Sequence, residues 1–162
     1  EEIQNVCVGH DKKLVVYISM GFGNPYGDPY DEEIVFECVN KLVAMDISII
    51  SLADTVGVAR PEQVYEMTSY LIESLPGTEI GVHLHSTPQN WQAKLEAAIK
   101  AGCKRFDGAL KGIGGCPMAN DDLVGNMNTE WMIDYLSEKD LLKELNKEAL
   151  AESLRLASEI FV

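Results

Sequence analysis

Two histidines lie one residue apart in the segment GVHLHST, residues 81–87, of a chain that has three histidines in 162 residues. Side chains alternate between the two faces of a strand. A strand here would therefore point His83 and His85 to the same face, with their Cα atoms about 7 Å apart. That spacing suits two adjacent ligands of a divalent metal ion. Core histidines that hydrogen-bond to their neighbours can have the same spacing, and a complete metal site needs more ligands than two.

Three further residues have side chains suited to catalysis or binding. Asp54, in SLADTVG, could orient a substrate hydroxyl or a water, or form an Asx turn. Cys116, in GIGGCPMAN, is bracketed by glycines and a proline, so its thiol could act as an acid or base on a loop that approaches a ligand closely. It could equally be a small buried residue. Asn126 could offer a carbonyl oxygen to a hard cation, or simply end a turn before the next helix.

The elements that would position these residues alternate along the chain. Apolar and β-branched runs predict strands, which fall at residues 13–21, 47–55, 78–86 and 104–110. Apolar residues at helical spacing predict helices, which fall at residues 31–45, 60–75, 88–102, 129–138 and 146–161. The first dozen residues read as the tail of an earlier helix, and residues 111–126 as a long glycine-rich loop.

Strict alternation of apolar strands and helices predicts a parallel sheet covered by helices. An open doubly wound sheet and a (β/α) barrel both fit, but no GxGxxG follows a strand. Asp54, His83, His85 and Asp107 all lie near strand C-termini, where barrels collect their active sites. A full barrel needs eight strands and about 250 residues. We therefore predict the C-terminal half of a (β/α)8 TIM barrel, as a single partial domain over residues 1–162.

Composition excludes several classes of partner. A net charge of −13 argues against nucleic acid, whose phosphates require clustered Lys and Arg. No apolar run approaches the roughly 18 residues of a membrane span, and no signal peptide precedes the first strand. The four cysteines are scattered without a CxxC pair. That pattern favours reduced thiols and a cytoplasmic location.

Several segments taken together resemble the hydroxymethylglutaryl-CoA lyases, a family of TIM-barrel metal-dependent lyases. The matching segments are SMGFGNPYG, ISLADTVGVARPEQV, GVHLHST, RFDGALKGIGGCP and GNMNTE, which lie in order over roughly residues 14–132. The Gly-Gly-Cys-Pro loop is the most specific of them. Related Claisen-type synthases share the HxH strand but carry a Gly-Glu-Arg-type loop. Biotin-dependent carboxyltransferases also share that strand, but they use a modified lysine for which no motif is present.

The resemblance implies cleavage of 3-hydroxy-3-methylglutaryl-CoA into acetoacetate and acetyl-CoA, a reaction of leucine degradation, with Mg²⁺ or Mn²⁺ as cofactor. By motif, His83 and His85 would be metal ligands, with His83 also moving a proton, and Asn126 would complete the ligands on this half. Asp54 would assist near the substrate hydroxyl, and Cys116 would lie on a mobile loop over the acetyl-CoA end.

The chain departs from the family pattern in three places. Ser86 stands where the family usually has an aspartate, and the span from Cys116 to Asn126 is one residue longer than expected. Nothing in residues 1–20 matches the family's first-strand aspartate ligand, its neighbouring arginine or its early glutamate. We therefore expect the chain alone to be inactive. It would work as a homodimer or with the missing N-terminal half on an acyl-CoA substrate. A related synthase or aldolase, or a non-catalytic half-barrel assembly module, are the alternatives.

Overall fold

The computed structural model describes residues 1–115, 124–142 and 144–161. Its helices are α1 (Glu2–Gly9), α2 (Glu32–Val43), α3 (Pro61–Ser74), α4 (Trp91–Lys100), α5 (Thr129–Glu138) and α6 (Lys147–Ile160). Its strands are β1 (Val16–Ile18), β2 (Ile49–Asp54), β3 (Glu79–Leu84) and β4 (Arg105–Asp107). Every predicted strand and helix is present at its predicted place. The helix predicted at residues 129–138 has those bounds, and the other elements are shorter than predicted. Within these ranges no helix is both long and apolar enough to cross a bilayer.

The four strands form one parallel sheet in the order β1-β2-β3-β4, so each strand pairs with the next one along the chain. The helices α2, α3 and α4 are the successive crossovers between them. In the register of β2 and β3, Ala53 lies opposite His83, and Asp54 lies opposite Leu84. This register decides which side chains share a face of the sheet.

One face of the sheet forms the hydrophobic core with the helices. Ile50, Leu52, Val82 and Leu84 are essentially buried. They belong to one cluster with apolar side chains of the covering helices, among them Val39, Val64, Met67, Leu71 and Leu95. Burial of this apolar surface is the main force that holds the helices on the sheet. The opposite face carries smaller and polar side chains, and it is the face on which the predicted site lies.

Helix starts follow the sequence signals closely. Asp31, Asn128 and Asn146 each accept a hydrogen bond from the backbone N–H three residues on, as N-cap residues do. Pro61 opens α3, where its missing N–H costs nothing. Each cap fixes where its helix begins, and the cap at Asn128 starts α5 at Thr129, three residues after Asn126.

The last strand is shorter than the predicted 104–110, because β4 ends at Asp107 and the chain turns to meet a distant segment. The N–H of Ala109 donates to the carbonyl of Met127, and the N–H of Thr129 donates back to the carbonyl of Ala109. A short 3-10 turn at Leu110–Gly112 follows. These contacts bring residues 124–128 alongside the end of the sheet.

Candidate active site

A cavity of about 500 Å³ lies over the carboxyl ends of the four strands. Its lining consists of side chains from all four strand ends, namely Tyr17, Ser19, Ala53, Thr55, His83, His85, Asp107 and Gly108. The carboxyl edge of a parallel sheet is where α/β proteins bind ligands. The cavity is therefore the candidate site.

The two histidines of the HxH segment both enter this cavity, as strand alternation predicts. Their ring centroids are 5.4 Å apart and the ring planes lie 69° from each other. His85 is 5% exposed, whereas His83 is half-buried and has its ring edge-on to Tyr17 at 5.9 Å. His85 thus occupies a buried position, and His83 a position that is more open to the cavity.

His85 is held in a defined orientation by residues 124–127. Its Nδ1 lies 3.0 Å from the carbonyl oxygen of Val124. A carbonyl can only accept a hydrogen bond, so Nδ1 carries a proton, and in the neutral form of the ring Nε2 has the lone pair. Next to it, the N–H of Ser86 donates to the carbonyl of Gly125, and the N–H of Met127 donates to the carbonyl of Leu84. Metal-binding histidines commonly have one ring nitrogen anchored in this way.

Asn126 meets the histidine segment through a backbone bridge with His85. Its side-chain Nδ2 donates to the carbonyl of Ile113 at 2.9 Å. Its Oδ1 is buried and has no hydrogen-bond partner within the residues that the structure describes. A buried oxygen without a donor costs free energy and calls for an explanation. An oxygen ligand to a hard cation would be one.

His83 is biased toward its neutral form. Burial lowers the pKa of His83, and the adjacent His85 lowers it further, while the charge of Asp107 and the side chain of Asn126 act in the opposite direction. A neutral imidazole has a lone pair with which to bind a metal ion or take up a proton.

The donor set fits part of a divalent-metal site. The imidazoles of His83 and His85 line the cavity, and the side chain of Asn126 lies close to His83. Mg²⁺ and Mn²⁺ favour octahedral shells rich in oxygen, so further ligands are needed. Within residues 1–115, 124–142 and 144–161, no group of three or more His, Cys, Asp or Glu side chains could hold an ion. The described residues therefore supply part of a divalent-metal site but not a complete one.

Asp107 is a cavity residue that was predicted to lie at a strand end but was assigned no role. Its Oδ2 accepts a hydrogen bond from the Tyr17 hydroxyl at 2.9 Å, and Arg105 lies 3.9 Å from its Oδ1. Burial and this hydrogen bond raise the pKa of Tyr17. The sequence signal was present, since Asp107 ends a predicted strand, but its partner lies 90 residues away.

The structure does not bring Asp54 into the cavity. Asp54 is 1% exposed and lies on the helical side of the sheet, while its neighbours Ala53 and Thr55 line the cavity. Its Oδ1 accepts from the N–H of Ala59 at 3.1 Å, and its Oδ2 accepts from Nζ of Lys94 at 2.7 Å. Both carboxylate oxygens are thus engaged away from the expected substrate position.

Lys94 is the residue that the sequence reasoning missed. It is as buried as the apolar core, and its charge is paired with Asp54. The available signal was a lysine beside Leu95 on the apolar face of α4. Cys116, the predicted catalytic thiol, lies outside the described residues, although the ends of its loop are joined by a backbone bridge between Gly115 and Gly125.

Comparison with known proteins identifies the family. The HMGL-like family model matches residues 9–156. Hydroxymethylglutaryl-CoA lyase YngG of Bacillus subtilis is 33% identical over 143 residues, which are 88% of this chain and 48% of that protein. The (R)-citramalyl-CoA lyase of Chloroflexus aurantiacus is 36% identical over 118 residues, which are 70% of this chain and 37% of that protein.

Solved structures give the same result for the fold. The HMG-CoA lyase of Bacillus subtilis superposes with a TM-score of 0.87 at 30% identity, covering 98% of this chain and 53% of that one. An HMG-CoA lyase of Acinetobacter baumannii, in complex with coenzyme A and 3-methylmalate, gives 0.81 at 31% identity, covering 97% and 51%. The chain spans about half the length of the relatives it matches. Its four strands and their helices form half of a TIM barrel, and the chain belongs to the HMGL-like family.

Proposed function

We propose that the chain carries the HxH half of a carbon–carbon lyase that cleaves 3-hydroxy-3-methylglutaryl-CoA to acetoacetate and acetyl-CoA. The observation that carries the proposal is the pair His83 and His85 on the wall of one cavity, with the side chain of Asn126 close to His83. The similarity to hydroxymethylglutaryl-CoA lyases supports a lyase-type enzyme. The choice of this particular substrate is our proposal.

The reaction is a retro-Claisen cleavage. A base removes the proton of the tertiary hydroxyl, the bond between C2 and C3 breaks, and the hydroxyl carbon becomes the ketone of acetoacetate. The electron pair of that bond passes to C2 as a thioester enolate, and an acid then protonates C2 to give acetyl-CoA. The chain must therefore supply a base on one side of the substrate and an acid on the other.

His83 is proposed both to bind the ion and to move the proton, and because a neutral imidazole has one lone pair, it would do these at different stages. Its lowered pKa favours the neutral imidazole, and it is the more accessible of the two histidines. Cys116, outside the described residues, is proposed as the acid that protonates the enolate. The hydrogen bond from Tyr17 to Asp107 places a fixed polar pair on the same cavity wall. Asp54 would act only indirectly, from the helical side of the sheet.

A divalent ion, Mg²⁺ or Mn²⁺, would be held on this half by His83, His85 and Asn126, and when bound it would stabilise negative charge on the substrate oxygens. Two of these residues are held in place without it. Val124 holds the His85 ring, and the carbonyl of Ile113 accepts a hydrogen bond from the Asn126 amide.

We further propose that the working site spans a complete barrel. The described sheet has β1 and β4 as its two edges. Open edges and an uncovered inner face favour association. The additional strands would come from an N-terminal half or from a second copy of this chain, and a functional unit of that kind would take an acyl-CoA substrate. The cytoplasmic location and the single-domain boundary at residues 1–162 stay predictions.

A second candidate is a lyase of the same chemistry with another hydroxyacyl-CoA. The similarity to a (R)-citramalyl-CoA lyase favours it. A Claisen synthase or aldolase, or a purely structural half-barrel, are the remaining alternatives.

A substrate panel on the native assembly distinguishes these functions. Release of acetoacetate from 3-hydroxy-3-methylglutaryl-CoA with Mn²⁺ supports the first proposal, and release of pyruvate from citramalyl-CoA supports the second. We expect His83→Ala to reduce cleavage by about 10²–10⁴-fold, as loss of a general base does. His10→Ala, at an exposed position, is the matched control. Absence of cleavage of every hydroxyacyl-CoA would contradict a lyase function.

A further inference from the structure

The most unusual buried group outside the cavity is the ammonium of Lys94. The side chain is 1% exposed, and it lies on the face of α4 that also buries Leu95 and Ala98. A lysine is almost never fully buried unless its charge is paired. Lys94 is paired with Asp54, whose side chain is 0% exposed.

The ammonium uses its three donors on three different segments. Nζ lies 2.7 Å from Oδ2 of Asp54 at the end of β2, and 3.1 Å from the carbonyl of Gly57 in the turn that follows. It also lies 2.9 Å from the carbonyl of His85, just after β3. An ammonium has three donors and no acceptor, so its hydrogen-bonding capacity is exhausted. The side chain of Lys94 therefore links the end of β2 to the end of β3 through hydrogen bonds.

Neither helix formation nor stability accounts for a lysine at this position. Lys94 lies one turn from the N-terminus of α4, the end where the helix dipole disfavours positive charge. A buried ion pair also costs about as much in lost hydration as it gains, so a hydrophobic pair of similar volume is often as stable. The three contacts of the ammonium indicate instead that Lys94 holds a neighbouring residue in place.

The residue that Lys94 holds in place is His85. Its backbone lies between two sets of contacts, the ammonium of Lys94 on one side and the strand-like segment 124–127 on the other. The same segment accepts the Nδ1 proton of the His85 ring through Val124. If the carbonyl of His85 were released by Lys94, the ring would lose the alignment that keeps Nε2 toward the cavity.

We propose that Lys94 is a positioning residue, which, with Asp54 as its counter-charge, holds His85 in the tautomer and orientation that a divalent cation requires. The inference deepens the proposed function and rests on it in one respect, since the cation is the one expected at His83 and His85. It also gives Asp54 a role that its place on the helical side of the sheet allows.

The test uses two variants of the 162-residue chain. Lys94→Met leaves the carboxylate of Asp54 buried and unpaired, so we expect a large loss of stability. The double variant Lys94→Met with Asp54→Asn removes both charges and is expected to recover most of it. Lys41→Met is the control, because Lys41 is paired with Glu37 on the exposed side of α2.

Two measurements are made on the double variant. In the metal-free chain, the ¹⁵N-imidazole NMR spectrum of wild-type His85 should show the Nδ1–H tautomer with a slowly exchanging proton. We expect a mixture of tautomers and faster exchange in the double variant. In a Mn²⁺ titration, we expect about 10–100-fold weaker binding than in wild type, the usual effect of removing a group that orients a ligand. Lys41→Met should match wild type in both.

The outcomes separate this inference from the proposed function. A double variant that is stable, keeps the wild-type His85 spectrum and keeps wild-type Mn²⁺ affinity overturns the positioning role, because the pair would then be purely structural. If wild type binds no Mn²⁺, the proposed metal site fails. The imidazole spectrum of the double variant then decides alone whether Lys94 positions His85.

Discussion

The two histidines of the cavity have different environments, and this difference sets what each can do. His85 is buried and its Nδ1 is bonded to Val124, so its ring cannot rotate without losing that bond. His83 is more open and faces Tyr17 edge-on. A rigid imidazole suits a ligand, whereas a more accessible neutral imidazole also suits a proton acceptor. We therefore assign proton transfer to His83.

The pH dependence of stability tests the environment of His83. Burial lowers its pKa, so the unfolded chain binds a proton at higher pH than the folded chain does. The stability gained by keeping His83 neutral is complete above the ordinary histidine pKa of about 6.5, and is lost as the pH falls below it. We expect the free energy of unfolding, measured in urea, to fall more steeply from about pH 7 to about pH 5 in wild type than in His83→Asn. His10→Asn is the control, and parallel curves for wild type and His83→Asn would rule out the assignment.

The side-chain placements show what sequence patterns can determine. The period of two in a strand was enough to place His83 and His85 on one face. Alternation along one strand cannot place Asp54 relative to the histidines, because that also requires the register between β2 and β3. The structure shows that Ala53, not Asp54, lies opposite His83. The burial of Lys94 as an ion pair could not be predicted from the local sequence, because its partner Asp54 is 40 residues away.

The end of β4 is the element boundary that determines which residues lie beside the histidines. The chain leaves the sheet at Gly108 and runs back against residues 127–129, which brings Asn126 beside His85. A Cβ on Gly108 would lie 2.6 Å from the carbonyl oxygen of Met127 and would also overlap the Met132 side chain. The crossing therefore depends on the absence of a side chain.

Gly108→Ala should consequently destabilise the protein. We expect it to lower the free energy of unfolding by about 1–3 kcal/mol, because backbone must move to admit the methyl group. Gly77→Ala is the matched control, since a Cβ there meets no atom within 4 Å, and we expect a change within about 0.5 kcal/mol. Urea unfolding followed by circular dichroism measures both. Equal stability of the two variants would show that the crossing tolerates a side chain.

The order and type of the elements were predictable from periodicity, while their exact ends were not. Apolar runs predicted all four strands, but β4 ends at Asp107 because Ala109 pairs with Met127 and Thr129. Such long-range backbone pairing leaves no local trace in the sequence. The hydrogen bond from the Asn126 amide to the carbonyl of Ile113 belongs to the same class.

The chain forms a half-barrel that buries one face of its sheet against helices and leaves the other face lined by polar side chains. The cavity face presents two histidines, an aspartate and a tyrosine. Its edge strands β1 and β4 each pair on one side. Apolar side chains on α1 and at the end of α6 are also exposed, including Ile3, Val6, Ile160 and, just after α6, Phe161. A surface of this kind favours association.

Sedimentation velocity tests that expectation. We expect the 162-residue chain to show concentration-dependent association, because unpaired strand edges and exposed apolar side chains are stabilised by pairing. Circular dichroism of the same samples checks that the associating species is folded. A folded chain that sediments as a monomer at every concentration would contradict self-association, and it would leave an N-terminal half as the source of the remaining strands.

We propose above all that this half of the barrel carries a divalent-metal site at His83, His85 and Asn126. Calorimetric titration of the 162-residue chain with Mn²⁺ measures binding at that site. We predict binding in wild type and in His10→Ala, and binding at least about 10-fold weaker in His83→Ala and in His85→Ala. Equal Mn²⁺ affinity in wild type and the two cavity variants, or no binding in wild type, would contradict the claim.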